Sequence, residues 1–141
     1  MSPNCNFVVA SGLPILRAMN PADLFAHEDN PVTLAAGETL FRAGDPADAM
    51  YVLLEGSLHV LVGDKVVEHS QRGAILGEMA LVDNSPRGAT VVAVEPSRLA
   101  KVDQRRFQTL IQLNPFFATH VMKELVDRIR KMNRLLAEKR D

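Results

Sequence analysis

Glu78 and Arg87 stand nine positions apart in the stretch "GEMALVDNSPRGAT", Gly77 to Thr90. Between them lie a short apolar run, a polar loop and a proline. Alone, a Glu and an Arg in a β protein make an ordinary ion pair. Their neighbours point elsewhere. Gly77 precedes the Glu and Gly88 follows the Arg, so a ligand can approach the bare backbone on both sides. Read as one turn of helix, "EMAL" leaves the amides of Met79 and Ala80 pointing outward, where they attract anions. A guanidinium beside free amides suits a phosphate. The carboxylate repels that phosphate unless it faces hydroxyls instead. The ligand predicted by these residues has an anionic end and a hydroxyl end, as a ribose phosphate does.

Three textures of chain must position this stretch. Residues 1–31 are mixed, with short helices predicted around "PILRAM" and "PADLFAH". Residues 32–102 are rich in Val, Leu and Gly. Their segments "VTLAA", "TLFRA", "AMYVLLEG", "SLHVLVG", "KVVEHS", "ATVVAVE" and "SRLAKVD" read as strands. Turn signals at Gly37, Gly44, Gly56, Gly63 and Gly73 separate them, and Gly63-Asp64 suits a tight hairpin. Regular short strands of this kind predict an all-β barrel or sandwich, with a jelly roll also open. Residues 103–141 lack Gly and carry helix formers. Asp103 is placed to cap "QRRFQTLIQL", and Asn114-Pro115 to open a second helix running to about Lys139. Met122, Leu125, Ile129, Met132 and Leu136 step by 3, 4, 3, 4 along one face of it. That face suits core packing, a lid, or a helix–helix dimer.

Composition narrows the function classes. A chain of 141 residues with 47% apolar content is the size of one domain and is not a disordered segment. A net charge of -1 gives no field for nucleic acid. Cys5 is the only cysteine, which excludes an intramolecular disulfide and CxxC motifs. No apolar run approaches the roughly 18 residues of a membrane span. The N-terminus "MSPNCNFVVASG" lacks a basic signal-peptide region. The expectation is a soluble cytoplasmic protein. His27, His59, His69 and His120 lack metal-ligand spacing, and His59 is predicted to face solvent. No GxSxG, P-loop or GxGxxG is present, so neither a metal site nor an enzyme is expected.

The stretch resembles the phosphate-binding cassette of cyclic nucleotide-binding domains of the catabolite activator protein and protein kinase A regulatory subunit type. Gly77-Glu78, Met79-Ala80-Leu81, Pro86-Arg87 and Ala89-Thr90 stand in register with the family pattern. "LAAGETLFRAGDPADAMYVLLEGSLHVLV" is similar to the family's early strands, and the resemblance covers about Val32 to Leu136. It implies a mainly β fold with flanking helices: an eight-stranded β-roll, jelly-roll-like, also described as a double-stranded β-helix. An N-terminal helical segment (1–31), the roll (32–102, cassette 77–90) and the C-terminal B and C helices (103–141) would form one cyclic nucleotide-binding domain over 1–141.

The resemblance also implies roles. Glu78 would take the ribose 2′-hydroxyl and Arg87 the cyclic phosphate. Backbone amides of Gly77, Met79, Ala80, Gly88 and Ala89 would supply further contacts, with Thr90 closing the cassette. Val66, Leu76 and Val91 would wall the base or sugar. Arg130, Met132 or Asn133 on the last helix would cap the purine as a lid. Members that favour cyclic GMP often carry Thr directly after the cassette Arg; Gly88 stands there and favours cyclic AMP. The expected lid helix runs almost to Asp141, so no DNA-binding domain is expected after it. The expectation is therefore a stand-alone cyclic AMP sensor that acts on a protein partner through its last helix. It would contact neither nucleic acid nor membrane, and that helix could also form a homodimer. The alternatives are a ligand-free interaction or scaffold domain of the same fold, and a cyclic GMP sensor.

Overall fold

Eight short strands pair into two four-stranded antiparallel sheets in the computed structural model, which describes residues 20–83 and 85–140. The strands are β1 (Val32–Leu34), β2 (Thr39–Phe41), β3 (Ala49–Glu55), β4 (Leu58–Val62), β5 (Lys65–Ser70), β6 (Ile75–Leu76), β7 (Thr90–Ala93) and β8 (Ser97–Asp103). One sheet runs β1-β8-β3-β6 and the other β2-β7-β4-β5. This is the eight-stranded roll that the resemblance implied. Gly63-Asp64 forms the turn between β4 and β5, as the hairpin signal predicts. β6 has only two residues, too few for a strand pattern to show.

β3 explains why its sequence is a nearly unbroken apolar run. It lies between β8 and β6, and both of its faces are covered. Leu53 faces the second sheet and joins Leu58, Leu76, Val91, Ala93 and Leu99 in the core between the sheets. Met50, Val52 and Leu54 face the other way and meet Ile75, Ala100, Val102, Phe25, Phe117 and Val121. Alternation along the strand thus serves two cores at once.

The helices close the second core. Pro21–Phe25 forms a 3-10 turn, where "PADLFAH" predicts a short helix; "PILRAM" falls outside the described residues. Asn20 caps the turn, its side chain accepting from the Ala22 amide at 2.9 Å. Helix α1 (Gln104–Leu113) is capped by Asp103, which accepts from the Arg106 amide at 2.8 Å. Helix α2 (Pro115–Arg140) opens at Asn114-Pro115. No helix among the described residues is long and apolar enough to cross a membrane.

The five-residue stripe on α2 is split: Leu125 faces the roll and Met132 a cavity between the roll and α2, and the other three lie on a flank. Phe117, Val121 and Leu125 pack on the roll, while Met122, Ile129 and Leu136 are exposed together with Val126. Phe117 keys the helix: its ring meets Phe25 edge-on at 6.3 Å and Phe107 at 6.0 Å. That contact turns Met122, Ile129 and Leu136 of the predicted stripe onto a flank. His59 is half-buried rather than open to solvent, because its ring stacks edge-on against His69, its cross-strand partner, at 4.3 Å.

Candidate functional site

The cassette begins at the end of β6 and ends where β7 begins. Between them, Glu78–Leu81 form a single 3-10 turn. Gly77 enters it with a left-handed backbone, φ 73°. The turn matches the predicted helical segment but is wound more tightly. A 3-10 turn bonds i to i+3, and the Ala80 amide accordingly donates to the Gly77 carbonyl at 3.1 Å. The Ala80 amide is therefore not free for an anion, contrary to the sequence expectation.

Arg87 is 7% exposed, unusual for an arginine. Its Nη1 donates to the Gly77 carbonyl at 3.2 Å and its Nη2 to the Ala49 carbonyl at 2.6 Å. The guanidinium lies 4.1 Å from the centre of the Phe41 ring. Its Nε is buried with no hydrogen-bond partner. No carboxylate pairs with it among the described residues. Burial pulls its pKa below the ordinary arginine value, opposed by Tyr51, Asp48 and Asp45. It stays a cation at neutral pH.

The loop after β2 fixes the backbone around Arg87. The Arg87 amide donates to the Asp45 carbonyl at 2.8 Å, and the Gly44 amide to the Arg87 carbonyl at 2.7 Å. "AGDPADA" is thus a turn, and its work is to latch the cassette.

Glu78 is 6% exposed, yet its partner is not Arg87. Arg128 reaches down from α2 and pairs with Glu78 Oε1, a charge contact without hydrogen-bond alignment. The other guanidinium nitrogen of Arg128 donates to the Ile75 carbonyl, and Glu68 of β5 lies 3.6 Å away. The two charges that open the sequence argument are therefore separate. Arg87 is held by carbonyls and an aromatic ring, and Glu78 by a second arginine.

Both groups line one cavity of about 440 Å³ between the roll and α2. A buried guanidinium with a donor to spare, a buried carboxylate and apolar walls suit a small ligand with an anionic end and a hydroxyl end.

Comparison with known proteins agrees with this geometry. A family model described as "Cyclic nucleotide-binding domain" matches residues 31–114. The chain belongs to the cyclic nucleotide-binding domain family. A cyclic nucleotide-gated potassium channel of Mesorhizobium japonicum is 31% identical over 125 residues, covering 87% of this chain and 35% of the channel. A cAMP-activated global transcriptional regulator of Pasteurella multocida is 31% identical over 102 residues, covering 68% of this chain and 49% of the regulator. The crystal structure of the Thermus thermophilus catabolite activator protein matches with a TM-score of 0.71 at 25% identity, over 87% of this chain and 61% of that one. This chain thus spans half or less of the length of these two curated relatives.

Within this cyclic nucleotide-binding domain, ten of the residues singled out from sequence line the cavity: Leu76, Gly77, Glu78, Met79, Ala80, Arg87, Gly88, Ala89, Val91 and Met132. Four stand outside the lining. Val66 is exposed on β5, and Arg130 and Asn133 are exposed on α2. Thr90 accepts from the Ala43 amide at 3.0 Å, which ties the cassette to the β2–β3 loop. Phe41, Glu68 and Arg128 also line the cavity and went unnoticed in the sequence. Phe41 reads there as ordinary strand core, and Arg128 sits in the run "RIRK", which reads as a solvated helix face.

Proposed function

We propose that this chain is a cyclic nucleotide sensor, that its ligand is cyclic AMP, and that α2 passes the signal to a protein partner or to a second copy of the chain. One observation carries the reading. Arg87, a buried cation with an unpaired Nε donor and no carboxylate partner among the described residues, lines a cavity shared with a buried carboxylate. Burying a cation without a partner is costly, and a cyclic phosphate would offset that cost. Glu78 would accept from the ribose 2′-hydroxyl, and Met132 would close over the base. The Ala80 amide is engaged within the turn, and of the three lid candidates Met132 is the one that lines the cavity. Gly88 after the cassette arginine favours cyclic AMP over cyclic GMP, and the Pasteurella regulator is named as cAMP-activated. These groups are those of a binding site, and we propose no catalytic step. On α2, the exposed Met122, Val126, Ile129 and Leu136 form the face for a partner.

Calorimetric titration with cyclic AMP and cyclic GMP tests this reading. A charge-assisted hydrogen bond is worth about 1.5–3 kcal/mol net. Arg87→Ala should therefore weaken binding by about tenfold or more while the far-UV spectrum is retained. Ligand at about 100 times its Kd should add about 2.7 kcal/mol of stability. Stronger heats with cyclic GMP would reassign the ligand. No heat and no thermal shift with either nucleotide would leave an interaction domain of the same fold.

A further inference from the structure

Glu78 poses an electrostatic problem for the ligand proposed above. It is buried in the cavity that also holds Arg87. An unpaired carboxylate there would repel an incoming cyclic phosphate and would itself be costly to bury. Arg128 meets that problem. Its guanidinium is held by three groups of the roll: Glu78 Oε1, the Ile75 carbonyl and, at 3.6 Å, Glu68. Ile75 belongs to β6, just ahead of the cassette, so the guanidinium is anchored beside the carboxylate it serves. The contact with Glu78 uses one oxygen, and a carboxylate has a second acceptor in Oε2.

We propose that Arg128 is a positioning residue for the sugar end of the ligand. It neutralises Glu78, so that carboxylate and phosphate can share one cavity, and it leaves Oε2 for the ribose hydroxyl. This rests on the cyclic nucleotide reading. Because Arg128 belongs to α2, the same ion pair ties the sugar site to the helix that carries the signal. The opposite role would be a latch that competes with the hydroxyl for Glu78. The two roles predict opposite changes when Arg128 is lost.

The test is calorimetry with cyclic AMP on the full chain, at neutral and at acidic pH. The proteins are wild type, Arg128→Met, Arg128→Lys, Glu78→Gln and the double variant Glu78→Gln/Arg128→Met. At neutral pH, Arg128→Met should weaken binding by about tenfold or more, and Arg128→Lys should recover most of it. The charged groups around Glu78 are Arg128 from α2, Arg87 from the cassette and Glu68 from β5 behind Arg128. Without Arg128, the buried Glu78 should take up a proton on acidification. The Arg128→Met variant should then regain affinity relative to wild type. In the Glu78→Gln background, Arg128→Met should change affinity little and the pH response should vanish. Unchanged or tighter binding by Arg128→Met would overturn the proposal, as would an equal loss in both backgrounds. A wild type that binds neither cyclic AMP nor cyclic GMP would overturn the sensor reading itself. Thermal melts without ligand read the ion pair independently. Arg128→Met should lower Tm, and by less in the Glu78→Gln background, where only the contacts with the Ile75 carbonyl and Glu68 are left to lose; equal drops in both would refute the pairing.

Discussion

The cassette's two glycines look alike in sequence and meet different surroundings. A Cβ on Gly77 would lie 2.3 Å from Arg87 Nη1, and the backbone there is left-handed at φ 73°. A Cβ on Gly88 would meet nothing within 4 Å. Gly77→Ala should therefore cost about 1–2 kcal/mol from backbone conformation alone. It should also push Arg87 off its carbonyl anchors and weaken cyclic nucleotide binding by about tenfold or more. Gly88→Ala should leave stability within about 0.5 kcal/mol. Urea melts and calorimetry on the two variants check this, and equal behaviour would refute it. The contrast shows which residues were legible from the chain. Gly77, Glu78 and Arg87 sit in one dense motif whose spacing has a chemical reason. Arg128 lies 50 positions beyond Glu78, among several helix arginines of identical chemistry. Only the packing of α2 on the roll selects it. The same limit hid the fate of the Ala80 amide, since sequence does not tell a 3-10 turn from an α-helical one over four residues.

At the scale of elements, the strands were readable because glycine turns bound them and β-branched residues fill them. The orientation of α2 was not readable, because two apolar lines run along it and Phe117 decides which one is buried. One consequence is that Glu124 is drawn against the roll. Burial pushes its carboxyl above the ordinary glutamate value; His120 and Lys123 on the same helix oppose this, and Glu68 of β5 and Asp127 add to it. A carboxyl raised in the folded state binds protons there that the unfolded chain has released. Its contribution to stability is therefore fully present below the unfolded value and is lost as pH rises through the folded one. Thermal melts of wild type and Glu124→Gln across that window, which opens near pH 4.5, should diverge. The Gln variant should gain on wild type as pH rises and then hold its advantage. Parallel profiles would show that Glu124 is solvated.

At the scale of the whole molecule, α2 has to serve two surfaces. Its inward side carries Phe117, Val121 and Leu125 to the core and Arg128 and Met132 to the cavity. Its flank leaves Met122 57%, Val126 42%, Ile129 60% and Leu136 53% exposed, a continuous apolar line rather than scattered residues. With Asn133 included, the line steps 4, 3, 4, 3, the spacing of a coiled-coil seam over about two heptads, which suits the second copy of the chain proposed above. Val126 and Asn133 then occupy one kind of seam position, and Met122, Ile129 and Leu136 the other. A β-branched residue in the first kind favours two strands, and a single Asn there sets register at a cost in stability. Asn133, outside the cavity, would thus act between two copies of the chain. Sedimentation should show a concentration-dependent monomer–dimer equilibrium. Ile129→Asp should shift it to monomer, because a buried charge in the seam has no partner. Asn133→Leu should strengthen association while broadening its stoichiometry. Neither residue lines the cavity, so the Ile129→Asp monomer should still bind cyclic nucleotide; a change in affinity would then measure how strongly pairing of α2 is coupled to its closure over the site. A wild type that sediments as monomer at every concentration would assign the flank to a different protein partner.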